Sequence, residues 1–133
     1  MHKILQPPNW PRPKGYSNGI LAQGKTIYTG GIIGWNEDEI IESDRLADQI
    51  KQVLLNTMAV LKEANAGPEH IVRMTWYVTD KQAYIEQGRE IGNHYREIMG
   101  KNYPAMALVQ VVALVEDKAK VEIETTAVMP NQI

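Results

Sequence analysis

Glu122 and Glu124 stand two residues apart in K-V-E-I-E-T-T-A-V, residues 120–128. In a strand, both carboxylates would share one face while Val121, Ile123 and Thr125 take the other. If one carboxylate sat in a partly dry cleft, desolvation would raise its pKa and make it a general acid or base. On a rim strand both would simply face water, and spacing alone favours that solvated reading.

Two other stretches match catalytic or binding patterns letter by letter. G-Y-S-N-G at 15–19 fits G-x-S-x-G, but a nucleophile elbow needs a strand before it and a helix after it. Here a proline-rich segment precedes and strand-like residues follow, so Ser17 reads as a turn residue. G-I-L-A-Q-G-K-T at 19–26 fits the phosphate loop G-x-x-x-x-G-K-(S/T), whose Lys-Thr must open a helix. I-Y-T-G-G-I-I follows instead, which is strand-like, and nucleotide binding is discarded. His2, His70 and His94 are scattered, with no metal-ligand spacing among them. No cofactor and no metal is called for.

The rest of the composition narrows the class. A chain of 133 residues suits one domain, taken here as 1–133. Its 44% hydrophobic and 23% charged content is that of a globular protein. A net charge of −2 offers no general basic surface, so nucleic acid is not favoured as a partner. Cysteine is absent, which removes disulfides and thiolate chemistry. The start, MHKILQPPNWPRPK, lacks a secretory apolar core, and no stretch reaches the roughly 18 apolar residues of a membrane span. A cytoplasmic protein without membrane contact is expected.

The elements that must position these residues follow from periodicity. Residues 6–14 hold four of the seven prolines and read as an extended arm pinned by Trp10. I-L-A-Q and T-I-Y-T-G-G-I-I read as two strands in a hairpin turning at Gly24-Lys25. From Asp44, Leu46, Ile50, Val53, Leu54, Thr57 and Leu61 recur at helical spacing, with Asp48, Gln49, Gln52 and Lys62 on other faces. Ser43 or Asp44 is the expected cap and Gly67 the left-handed stop. I-V-R-M-T-W-Y-V-T-D at 71–80 reads as a strand with Val72, Met74, Trp76 and Val78 on one face. A second helix covers about Lys81 to Met99, burying Tyr84, Gly88, Ile91, Tyr95 and Ile98 or Met99, and Gly100 ends it.

Two strands close the chain, and the first is unusual. From Ala105 to Val115 its only polar side chain is Gln110, so both of its faces want cover. Two helices cover one face of such a five-stranded sheet. Another copy of the chain is the simplest cover for the other.

With its elements in the order β-β-α-β-α-β-β, the chain resembles the RidA/YjgF family of reactive-intermediate deaminases along nearly its whole length. G-Y-S at 15–17, Y-T-G-G at 28–31, Q-I-K-Q-V-L-L-N at 49–56, W-Y-V-T-D at 76–80, Y-P-A at 103–105 and V-E-I-E-T-T-A at 121–127 carry the likeness. It implies an α+β, chorismate mutase-like fold with two helices on one face of a mixed sheet. It implies further a homotrimeric barrel, with ligands in clefts between subunits and hydrolysis of enamines or imines to ketones and ammonia. By the same likeness, Tyr16 matches a cleft-wall tyrosine and Gly31 a glycine whose backbone lines the cleft. Glu122 matches the glutamate that positions or activates water.

Several residues depart from the family pattern. Active deaminases carry an arginine after the Pro-Ala, where a guanidinium grips the substrate carboxylate through two hydrogen bonds. Met106 stands there, so that anchor is gone, at about 1.5–3 kcal/mol per charged hydrogen bond. Gly30 replaces a frequent serine, Leu108 a frequent cysteine and Gly92 a frequent asparagine. Three readings stay open. As a member of an arginine-lacking branch, the chain would bind a less charged or aromatic small molecule against Tyr16, Trp35 and Met106. Deamination would survive if Arg73, Lys14 or Arg12 held the acid group. A non-enzymatic binding or chaperone-like trimer would need no catalytic group.

Overall fold

Leu46, Ile50, Val53, Leu54 and Leu61 form the buried stripe of α1 (Leu46–Lys62), each 2% exposed or less. That stripe shares one core cluster with the equally buried Met74, Trp76 and Val78 of strand β5 (Ile71–Val78). Each large side chain so buried contributes about 1.5–3 kcal/mol. In this computed structural model, which describes residues 2–131, those residues are the centre of the core.

The other strands are β1 (Lys3–Leu5), β2 (Gly19–Leu21), β3 (Lys25–Tyr28), β4 (Ile32–Ile33), β6 (Ala105–Gln110) and β7 (Val121–Met129). The main sheet runs β3-β7-β5-β6, with β4 beside β3 on the same edge of β7. Only β5 and β6 are parallel, joined by α2 (Lys81–Glu86) and α3 (Gly88–Met99). The result is the mixed α+β architecture that the sequence implies.

Several local expectations are corrected. There is no hairpin at Gly24-Lys25: β2 pairs with β1 and β3 with β7, so the chain changes sheet there. Gly24 is required for another reason, because a Cβ on it would lie 1.9 Å from the Met129 carbonyl oxygen. Trp10 pins nothing, being 59% exposed, and the arm is tied by Gln6 donating to the Trp10 and Pro11 carbonyls. Val72 falls at the bulge between Ile71 and Arg73, and Ile71 takes the buried place. The left-handed residue after α1 is Asn65 (φ 59°), not Gly67. Arg45 is the N-cap residue of α1, and Ser43 serves it by accepting from the Arg45 N–H. The second helix breaks at Gln87 into α2 and α3, while Gly100 (φ 66°) ends α3 as expected.

The apolar run is the largest correction. Strand β6 stops at Gln110, because its partner β5 ends at Val78 and nothing remains to continue the ladder. A last hydrogen bond from the Val111 N–H to the Val78 carbonyl closes it at 2.8 Å. The chain then leaves the sheet, and Val112 and Val115 stand fully in solvent. The sheet face away from the helices is mixed rather than oily. In register it carries Arg73, Thr75 and Tyr77 from β5, Ala105 and Ala107 from β6, and Glu122 and Glu124 from β7.

Candidate functional site

The two carboxylates of the last strand have different surroundings. Glu124 is exposed and accepts a 2.8 Å hydrogen bond from the Tyr77 hydroxyl, which pushes the Tyr77 pKa up. Glu122 is half-buried and lies against the turn between β3 and β4. Thr29 holds that turn. Its N–H and side-chain oxygen engage the Thr125 carbonyl and N–H at 2.9 and 3.0 Å, and its hydroxyl donates to the Gly30 carbonyl. Gly30 and Gly31 therefore cross the edge of β7 as bare backbone. A Cβ on Gly31 would sit 2.1 Å from Glu122 Oε2, so only glycine lets the carboxylate rest there. Glu122 and Gly31 open onto a cavity of about 520 Å³ walled by Trp35, Asn56, Val115 and Glu116. The Asn56 amide shapes the wall by donating to the Ile33 and Trp35 carbonyls at 3.2 and 2.8 Å.

Met106 lies elsewhere. It pairs in register with Met74, whereas Glu122 pairs with Tyr77, and residues an odd number apart on β5 point to opposite faces. Within one chain Met106 therefore faces the helices, where it lines a cavity of about 210 Å³ with Trp76, Tyr84, Tyr95, Tyr103 and Arg96. Leu108, in register with Trp76, packs on the core of the same face. Tyr16 is exposed. Its neighbour Ser17 fastens the loop to the start of β6, donating its hydroxyl to the Tyr103 carbonyl and its N–H to the Pro104 carbonyl at 3.0 Å. Ser17 is not the turn residue expected: it is buried and forms a parallel bridge with Ala105, and residues 19–26 run through β2 into β3 without a helix. The structure brings Gly31, Trp35 and Glu122 together and Met106 with the aromatic residues. It does not bring the two groups together in one chain.

Arg96 escaped the sequence reading, and Asn56, Tyr84, Tyr95 and Tyr103 entered it only as core or motif residues, not as cavity walls. The helical spacing of Gly88, Ile91, Gly92, Tyr95 and Arg96 was the signal available, since all five fall on one face of α3 and line the smaller cavity.

The sequence reading also missed an ionic group. Arg45 donates to both oxygens of Glu90 at 2.7 and 2.9 Å, Asp48 lies beside it, and His94 Nε2 is 3.5 Å from Glu90. Asp48, Glu90 and His94 bring ligand-type atoms within 4.8 Å of one another, but the guanidinium already occupies the carboxylates. The hydrogen bonds from Arg45 hold the Glu90 carboxyl down to about 2 from 4.5. A depressed carboxyl favours the folded state above the unfolded value and loses that contribution as pH falls. Glu90→Gln is therefore expected to lower the urea midpoint at neutral pH by a small amount, small because the pair is half-exposed and screened, and to converge on wild type as pH falls from 4.5 to 2, which flattens the profile by that same amount. His70, by contrast, serves as a local cap, its Nδ1 accepting from the Gly67 N–H at 3.0 Å.

Strands, one long helix, a central strand, a broken helix and two closing strands define this class by their order, with the Gly-Gly turn set against a strand carboxylate. The chain belongs to the RidA/YjgF family, and the family model described as Endoribonuclease L-PSP matches residues 10–129. A RutC family protein of Synechocystis sp. is 32% identical over 131 residues, covering 97% of this chain and 98% of the relative. The human protein named 2-iminobutanoate/2-iminopropanoate deaminase is 31% identical, covering 85% and 79%. Among solved structures, the protein YyfB from Yersinia pestis, described as of unknown function in the conserved Rid family, superposes with a TM-score of 0.84 at 26% identity, covering 96% and 98%. Among the described residues, no helix is long and apolar enough to cross a membrane.

Proposed function

We propose that the protein is a homotrimeric imine or enamine hydrolase of an arginine-lacking branch, working in clefts where the Glu122 cavity of one copy meets the Met106 pocket of the next. The seating of Glu122 against the bare Gly31 backbone carries this reading, because a carboxylate held at a cavity wall is the group that hydrolysis needs. Val112 and Val115 support assembly, since two fully exposed valines three residues apart in one loop offer apolar surface that a neighbouring copy would cover. The two deaminases among the relatives support the chemistry.

The reaction balances with one carboxylate. Glu122 takes a proton from water as the oxygen adds to the C=N carbon, and the π pair moves to nitrogen. The acid returns its proton to that nitrogen. The carboxylate then takes the hydroxyl proton as C=O forms and passes it to the nitrogen, the C–N bond breaks, and ammonia leaves. Glu37, Glu39, Glu116 and Glu122 all line the larger cavity. That charge favours a cationic iminium and repels phosphates, which sets the reading against a nucleic-acid substrate.

Ammonia release from freshly generated 2-iminopropanoate tests this. Wild type should turn over and Glu122→Ala should not. Met106→Arg should lower KM for this short acid by adding a guanidinium donor to the pocket wall, by about tenfold or more. An inactive wild type with an active Met106→Arg would instead favour a binding protein on an intact scaffold. In sedimentation, a species of one chain mass, 15.0 kDa, would remove the shared cleft.

A further inference from the structure

We propose that Arg96 is the carboxylate anchor of this chain and that the pocket between α3 and β6 selects 2-imino acids with an aromatic or similarly flat apolar side chain. The inference rests on the proposed hydrolase reading and names its substrate class.

The lost arginine and the new one line the same pocket. Met106 lines it from β6 and Arg96 from α3. Arg96 reaches the pocket because of Gly92, one turn earlier: a Cβ there would lie 3.2 Å from the Arg96 Nη1, so the guanidinium lies back over bare helix. Arg96 has one hydrogen bond, donated to the Asn93 side-chain oxygen at 2.6 Å, and no carboxylate partner among the described residues. A planar guanidinium with spare donors is the group that pairs two oxygens of an acid.

The remaining walls define what the acid carries. Trp76 and Tyr84 meet edge to face at 6.4 Å, and Tyr95 and Tyr103 stack at 5.7 Å with planes 11° apart. Aromatic walls with a methionine suit a flat ring, through offset stacking and sulfur contacts. The Trp76 indole N–H is buried and has no hydrogen-bond partner among the described residues, leaving one donor for a carbonyl or acid oxygen. Gly88 extends the trough, since nothing lies within 4 Å of where its Cβ would be. Glycine within a helix costs stability relative to alanine, and neither Gly88 nor Gly92 has the positive φ that would demand it. The space they leave has a use in the ligand. The polarity also agrees: the acid lies at the cation of this pocket, and the iminium faces the carboxylates of the other cavity.

Binding of phenylpyruvate, pyruvate and methyl phenylpyruvate, followed calorimetrically on the whole protein, tests the assignment without turnover. Phenylpyruvate should bind more tightly than pyruvate. Arg96→Ala should weaken phenylpyruvate by about 10- to 100-fold, the loss of a charged hydrogen-bonding pair, and leave the ester unchanged. Arg96→Lys should restore part of the loss, and Arg89→Ala, on the same helix outside the pocket, should bind phenylpyruvate as wild type does. Gly88→Ala should raise Tm while weakening phenylpyruvate and sparing pyruvate. In turnover of the phenylalanine-derived imine, Arg96→Ala should raise KM with kcat little changed. Equal phenylpyruvate binding by wild type and Arg96→Ala, or pyruvate bound as tightly as phenylpyruvate, would overturn the proposal. If Glu122→Ala released ammonia at the wild-type rate, the hydrolase reading would fall, and the binding series would still decide the anchor.

Discussion

Gly31→Ala is expected to leave the fold standing and to lower ammonia release by about 10²–10⁴-fold, the range of a lost general acid–base group. The added methyl would occupy the site of Glu122 Oε2, 2.1 Å away. The carboxylate is the free end of a flexible side chain, so it swings out, and the β3–β4 turn keeps its bonds through Thr29. A urea midpoint near wild type combined with lost turnover is the expected pair of observations. Glu124→Ala is the control, because Glu124 lies on the same strand and reaches only the Tyr77 hydroxyl. Full turnover by the Gly31→Ala protein would take Glu122 out of the chemistry.

Gln49→Leu carries the largest expected loss of stability for a polar side chain, about 3 kcal/mol or more, since each buried group left unpaired costs about 1–3 kcal/mol. Gln49 is 1% exposed. Its amide donates to the Ser43 and Lys118 carbonyls at 2.9 and 3.0 Å, and its oxygen accepts from the Lys120 N–H at 2.8 Å. One side chain on α1 thus ties the loop before the helix to the loop that feeds β7. Leucine fits the space but bonds none of the three. The drop in urea midpoint should come with loss of order at 118–120, read by amide exchange, and a midpoint equal to wild type would refute this role.

Gln49 also shows why a helical wheel misleads. Polar type and spacing put it with Asp48 and Gln52 on the outer faces, but the loops at 43 and 118–120 fold over that side and need its amide. Loop returns of 69 and 71 residues leave no periodic trace. Where neighbours in sequence are neighbours in space, the reading held: the stripe of α1, the buried face of β5 from Met74 to Val78 and the Gly100 stop all follow from spacing. The strand pair β1–β2 was missed because three-residue strands carry too few side chains to alternate visibly. The length of β6 was misjudged because hydrophobicity cannot report where a partner strand ends. The Arg45–Glu90 pair spans two helices and is equally silent in sequence. The seating of Glu122 came only through family likeness. Nothing in V-E-I-E says which carboxylate meets a glycine turn 91 residues earlier.

Residues 109–115, V-Q-V-V-A-L-V, are uncharged, free of proline and glycine, and rich in β-branched side chains, yet the native ladder claims only the first two of them. Such a heptad suits the dry zipper of a fibril. Once heat or acid frees it, identical stretches from different molecules can stack before any one refolds. Glu116, Asp117 and Lys118 follow directly and act as gatekeepers, their charges making each added layer repel the last.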